Sequence, residues 1–276
     1  MNTGFAGPLR MLAASYATPI EYTLCAGGGK LALNSRLGQT IRITASGRIH
    51  CVACDALTRR SYGQGHCYRC FRHLARCDLC MMRPELCHHA AGTCREPDWG
   101  EAFCMRPHII YLANSSGLKV GITRATHTPG RWIDQGATQA LAILGVASRR
   151  QAGLVERLLA REVSDRTDWR AMLRADPPVI DLRACAERLL EHTCADIERV
   201  DRALGAPARR LGPEGAAPLS LSYPVREYPR RVVSLSLEKQ RCVEGVLLGV
   251  KGQYLILDRG VLNVRRHAGY EVRVEV

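Results

Sequence analysis

Aromatic side chains are scarce in this chain, at 5% of 276 residues, with only three Trp and three Phe. Lysine is scarcer still, at Lys30, Lys119, Lys239 and Lys251 alone. No apolar run approaches the roughly 20 residues that a membrane-crossing helix requires, which excludes a helical membrane protein. The opening MNTGFAGPLRMLAASYATP holds an apolar stretch too short for a secretory signal, with Arg10 inside it. The expected location is the cytoplasm, with no membrane partner.

What is abundant is arginine. The net charge is +13, and arginine supplies nearly all the positive side. A planar guanidinium matches phosphate with a two-pronged fork, so a polyanion, DNA or RNA, is the expected partner. Arginine-rich codon usage is the plain alternative. The excess is spread over the N-terminal, central and C-terminal parts, whereas residues 175–222 are slightly acidic.

Cysteine is also abundant: thirteen, of which nine fall between Cys51 and Cys104. Without a secretory signal, paired C-x-x-C spacing points to metal rather than to disulfides. Cys51-x2-Cys54, twelve residues, then Cys67-x2-Cys70 is the spacing of a tetrathiolate zinc site, each knuckle offering two sulfurs to a tetrahedral ion. A third pair, Cys77 and Cys80, precedes Cys87, His88, His89, Cys94 and Cys104. The expected second zinc is held by Cys77, Cys80, Cys87 and Cys94, with His88 or Cys104 able to replace one ligand. A cross-braced pairing of Cys51 and Cys54 with Cys77 and Cys80, or an iron–sulfur cluster, also fits the spacing. Closed four-ligand sites leave no open position for chemistry, so one or two such zincs serve folding. Arg59, Arg60, Arg69, Arg72 and Arg76 interleave with Tyr62, Tyr68 and Phe71. That mixture suits phosphate contact with base stacking, and equally a solvated surface over packed knuckles.

The expected fold class is α+β, in five parts. Residues 1–50 read as a small antiparallel sheet, because residues 18–50 alternate apolar and polar through Ile20, Tyr22, Leu24, Leu31, Leu33, Ile41 and Ile43. Residues 51–107 are the metal-held module, and residues 108–204 return to regular structure. There Leu189, Leu190, Ile197, Val200 and Leu204 recur at helical spacing, with Cys185 and Cys194 on the same stripe as small core residues and Gly205 as the stop. Residues 205–220 read as a linker by composition, and 221–276 as a small all-β module of short strands.

The central part carries the chemistry. HIIYLANSSGLKVGITR, residues 108–124, reads as a hairpin turning at Asn114–Gly117. Thr128 is placed to cap a helix with Pro129 first and Arg131 in its first turn. LAILGVAS is a third strand, and RRQAGLVERLLAREV an amphipathic helix with Leu154, Val155, Leu158, Leu159 and Val163 on its apolar stripe. Glu156 projects from a ridge of small residues, between Ala152 and Ala160.

This order resembles the GIY-YIG endonuclease core: a three-stranded sheet with flanking helices, here between zinc knuckles and a β-module. Ile109-Ile110-Tyr111 stands where that family has its first motif and Lys119-Val120-Gly121 where it has the second. The stretches GTCREPDWGE, KVGITR, RWIDQGA and KGQYLILDRG resemble a bacterial family of unknown function in the same clan. The resemblance implies a nuclease with Tyr111 as base or water-positioner, Arg131 as phosphate clamp and Glu156 as ligand of one Mg2+. Lys119 departs from the family, which usually has a second tyrosine there. A lysine could lower the pKa of Tyr111 or donate to an oxyanion, or mark a site converted to binding. A catalytically inactive DNA- or RNA-binding protein on the same fold is the alternative. A zinc-knuckle protein adaptor is the least favoured reading.

Overall fold

The computed structural model describes residues 4–211 and 217–276 and is a mixed α+β protein with several sheets. It divides into two units. One holds the chain up to Arg72, Leu173–Ala175 and Leu221–Val276; the other holds His73–Met172 and Asp176–Ser220. Among the described residues, no helix is long and apolar enough to cross a membrane.

The first unit is mostly β. Thr40–His50 is its longest strand, and it alternates buried Ile41, Ile43 and Ala45 with outward Arg42 and Thr44. It pairs antiparallel with Cys242–Lys251 on one side, Ile43 opposite Val243, and with Tyr270–Glu275 on the other, Ile43 opposite Val274. The resulting sheet has eight strands and includes Phe5–Pro8, Leu57–Thr58, Tyr254–Leu257, Gly260–Asn263 and Ser234–Leu235. The N- and C-terminal β-modules expected as separate parts are thus joined by hydrogen bonds. A long apolar-alternating strand left at an edge would expose a row of unpaired backbone groups, and the C-terminal strands cover both of its sides. Ala13–Ser15, Glu21–Ala26 and Gly29–Ala32 form a separate three-stranded sheet that buries Ile20, Tyr22, Leu24 and Leu31 on one face.

In the second unit His108–Asn114 pairs antiparallel with Leu118–Arg124 and, on its other side, with Gln139–Val146. The chain runs strand, strand, a 3₁₀ turn at Ala125–His127, short helix Gly130–Asp134, strand, helix Arg149–Leu159, the one-turn helix Trp169–Met172, then the long helix Leu182–Leu204. Ser148 caps the helix Arg149–Leu159 by accepting from the Gln151 N–H, and Asp181 caps the long helix through the Arg183 and Ala184 N–H groups. Ile110, Leu112 and Val120 form a buried cluster with Val155, Leu159, Leu189 and Ile197. Each such side chain contributes about 1.5–3 kcal/mol relative to exposure.

Two expectations are corrected here. The helix carrying Arg131 begins one residue later than expected, with Pro129 in the capping position, while the Thr128 hydroxyl donates to the Ala125 carbonyl at 3.0 Å instead. The expected linker contributes Arg209–Arg210 and Leu219–Ser220 as short strands on Gln139–Val146, because that strand's outer side offers free backbone partners. Its residues 212–216 lie outside the described residues.

Candidate functional site

The cysteine-rich stretch is shared between the units, with Cys51–Cys70 in the first and Cys77–Cys104 in the second. In the first, the ligand atoms of Cys51, Cys54, Cys67 and Cys70 all lie within 4.8 Å of one another. Cys54 Sγ and Cys67 Sγ are 3.9 Å apart. Four sulfurs at about 2.3 Å from a zinc define a tetrahedron with edges of roughly 3.8 Å, so these residues fit the ion and could hold it. The knuckle after Cys51 turns through Asp55 in the left-handed region, φ 59°, and Cys51 N–H donates to Ala56 O at 2.9 Å. Burial pushes the Cys51 thiol up, but backbone hydrogen bonds from Cys67, Cys54 and Ala53 outweigh it and bring it down to about 6, toward the thiolate a metal binds. This grouping is not the cross-braced one. Tyr62 packs at 5.4 Å from Tyr68 and 5.9 Å from Phe71, centroid to centroid, beside the knuckles.

In the second unit Cys80, Cys87 and Cys104 form a buried cluster with Trp99 packed on it. These three thiols and Cys94 line one cavity with about 10 Å³ of free space, which admits one water-sized occupant. Cys77, expected as a ligand, does not line that cavity; Cys104 does. The reason is local. The Asp78 carboxylate accepts the Cys80 N–H and begins a new 3₁₀ turn, so Cys77 ends one turn and Cys80 belongs to the next. Asp78, Cys80 and His88 also bring their ligand atoms within 4.8 Å of one another. The cysteine-rich segment presses on the helix Arg149–Leu159. A Cβ on Gly153 would lie 2.5 Å from the Glu85 nitrogen, a closeness that only glycine permits. Arg149 N–H donates to Cys104 O at 2.8 Å and its guanidinium to Met81 O at 2.8 Å.

The same helix carries Glu156 toward the hairpin. Tyr111 stands opposite Gly121, and Lys119 opposite Ala113, so Tyr111 and Lys119 share one face while Ile110, Leu112 and Val120 face the core. Tyr111 is wholly buried, its ring edge-on to Trp132 at 5.8 Å, and its hydroxyl donates to Gln135 Oε1 at 2.8 Å. Lys119 is 4% exposed and donates from Nζ to Thr167 Oγ1 at 3.3 Å. Arg131 and Glu156 are half-buried.

The four groups act on one another. Burial pushes the Tyr111 hydroxyl up to about 12; the Arg131 guanidinium opposes this by charge and hydrogen bonding, and Glu156 adds to it. Burial, then the Arg131 charge, pushes Lys119 down to about 8 against the pull of Glu156 and Asp165. Burial and then Asp165 raise Glu156 to about 7, while Lys119, Arg149 and Arg131 draw it back. The structure therefore brings Tyr111, Lys119, Arg131 and Glu156 together. It does not give Tyr111 the lowered pKa that a neighbouring lysine was expected to produce, because burial outweighs nearby positive charge. Gln135, Thr167 and Asp165 are partners that the sequence reading left out. Gln135 lies in the RWIDQGA stretch, where its polar side chain four residues after Arg131 was the available signal. Glu156 belongs to neither of the two groups, one of four and one of three potential metal ligands, found among the described residues.

A family model described as "Protein of unknown function (DUF2797)" matches residues 38–272. No curated protein and no solved structure matches the chain. The match takes in the longest strand of the large sheet, both cysteine clusters and Tyr111, Lys119, Arg131 and Glu156, and the chain belongs to the DUF2797 family.

Proposed function

We propose that this protein is a Mg2+-dependent nucleic-acid phosphodiester hydrolase, built on a GIY-YIG-like core and stiffened by structural zinc. The observation that carries the reading is that Tyr111, Lys119, Arg131 and Glu156, separated by up to 45 residues, act on one another's charge around one largely buried polar centre. The strand–strand–helix–strand–helix order supports the core assignment.

Each residue has a task. Arg131 clamps the phosphate through its fork. Tyr111, with its hydroxyl near 12, stays protonated while donating to Gln135, and its oxygen positions water as an acceptor. Lys119, near 8, is partly neutral at slightly alkaline pH and takes the proton of the attacking water, the role expected of a base with pKa close to working pH. Glu156 offers one carboxylate, which suits a Mg2+ that keeps most of its waters, and the ion would neutralise charge on the phosphate. The reading also gives zinc to Cys51, Cys54, Cys67 and Cys70, and a second zinc to Cys80, Cys87, Cys94 and Cys104. The test is incubation with end-labelled single- and double-stranded DNA and RNA with and without Mg2+. Cleavage that needs Mg2+ and disappears in Arg131→Ala supports the reading; cleavage unchanged in that variant overturns it.

A second reading has its own observation. Tyr111 is closed over by Gln135 and Lys119 is nearly inaccessible, which favours a binding protein without catalysis. It predicts salt-sensitive nucleic-acid binding that survives Glu156→Ala, with no cleavage under any divalent metal.

A further inference from the structure

The first unit has a groove of about 590 Å³ that neither cysteine cluster nor the Tyr111 centre accounts for. One wall is the loop between the two zinc knuckles, with Arg59 and Arg60; the other carries Arg241 and Arg266; the floor is the strand Thr40–His50 at Ala45, Gly47 and Ile49. Gly47 leaves that floor open, with nothing within 4 Å of where its side chain would begin. Arg266 is paired with Glu238 at 3.5 Å, and Glu238 also accepts from the Tyr270 hydroxyl at 2.7 Å. Among the described residues, Arg59, Arg60 and Arg241 have no carboxylate within ion-pair distance, whereas Arg42 and Arg48 on the same sheet are each matched to a glutamate.

The Arg59, Arg60 and Arg241 side chains are all exposed, and the Arg60 guanidinium lies 5.6 Å from the centre of the Tyr62 ring, so none of their charges is neutralised by a carboxylate of the described residues. A ligand that brings its own negative charge would neutralise them. We propose that this groove binds a single strand of nucleic acid, with its phosphodiester backbone running between Arg59 and Arg60 on one side and Arg241 on the other. Charge on both walls suits a linear run of phosphates, and guanidiniums recognise phosphate through the planar fork. The knuckles then have a function beyond folding, since they hold the wall that carries Arg59 and Arg60. The inference rests on the reading that the partner is nucleic acid, and not on hydrolysis.

The test uses the full chain carrying Glu156→Ala, in Mg2+-free buffer, so that cleavage does not enter. Anisotropy of a labelled single strand of about 10 nucleotides reports binding across a salt series. Arg59→Ala with Arg241→Ala removes one exposed arginine from each wall. The expected result is at least a tenfold weaker Kd at low salt and a salt slope shallower by about 1.4, that is 0.7 for each lost phosphate contact. Arg199→Ala with Arg202→Ala, on the solvated long helix, makes the same charge change and is expected to leave both quantities nearly unaltered. An equal loss in both double variants, no loss in the groove variant, or tighter binding of a duplex than of the single strand overturns the proposal. Wild-type protein that binds the strand through this groove but never cleaves it when Mg2+ is added would instead count against the hydrolase reading alone.

Discussion

The ring of Tyr111 lies against the backbone of Gly121. A Cβ built on Gly121 would come within 2.6 Å of the Tyr111 hydroxyl oxygen and 2.7 Å of the ring carbon that bears it. The two residues are direct cross-strand partners, so the glycine is what allows a tyrosine to lie flat across the hairpin and point its hydroxyl at Gln135.

Gly121→Ala is therefore expected to cost about 1–3 kcal/mol, the usual range for overpacking a tight interior. Urea unfolding measures it. In a Tyr111→Leu background the same substitution should cost clearly less, because the two residues share one space. Additive losses in the double variant would show that the contact is not the cause.

Lys119 should lower stability where it stands. Its native pKa is near 8, against 10.5 when free, so between those values the unfolded chain binds more protons than the native one and stability rises with pH. Below about 8 the full cost of a buried charge applies. Lys119→Met should raise stability at pH 7 by about 1–3 kcal/mol and flatten the curve between pH 8 and 10.5. A less stable Lys119→Met protein would mean that the lysine is a structural partner and not a functional one.

Glu156 has the opposite slope. With a native pKa near 7 and a free value of 4.5, the native state holds its proton longer, so stability falls as pH rises from about 4.5 to 7. Glu156→Gln should abolish that fall, with a gain of about 2–3 kcal/mol above pH 7 in metal-free buffer. Thermal unfolding across the pH series reads it, and parallel curves for wild type and variant would contradict it.

Metal content separates the two cysteine clusters. Two zincs per chain are expected by elemental analysis. Cys54→Ser should remove one and Cys104→Ser the other, each with a lower melting temperature, while Cys77→Ser should retain both. Retention in Cys104→Ser with loss in Cys77→Ser would restore the ligand set read from spacing alone.

Local patterns in the sequence carry much of this structure. The alternation of Ile41 and Ile43, the hairpin that sets Tyr111 near Lys119, and the helical stripe through Leu189 and Ile197 each depend on residues close together, where periodicity reports which face is buried. The pairing of Ile43 with Val243 spans 200 residues and leaves no local trace. That Cys104 and not Cys77 lines the second cavity goes with the turn that Asp78 begins, which spacing does not record. Tyr111, Lys119, Arg131 and Glu156 could be singled out because a resemblance fixed their order; Thr167 and Asp165 could not, because they meet Lys119 and Glu156 only through the folded shape.

The most direct test compares Mg2+-dependent cleavage of an end-labelled strand by wild type and by Glu156→Ala, side by side under single-turnover conditions. The account predicts products from wild type and a rate at least 100-fold lower in the variant, the order of loss expected when a charge-stabilising group is removed from a reacting phosphate. Equal rates in the two proteins, or no product from wild type on any strand at any Mg2+ concentration, would contradict it.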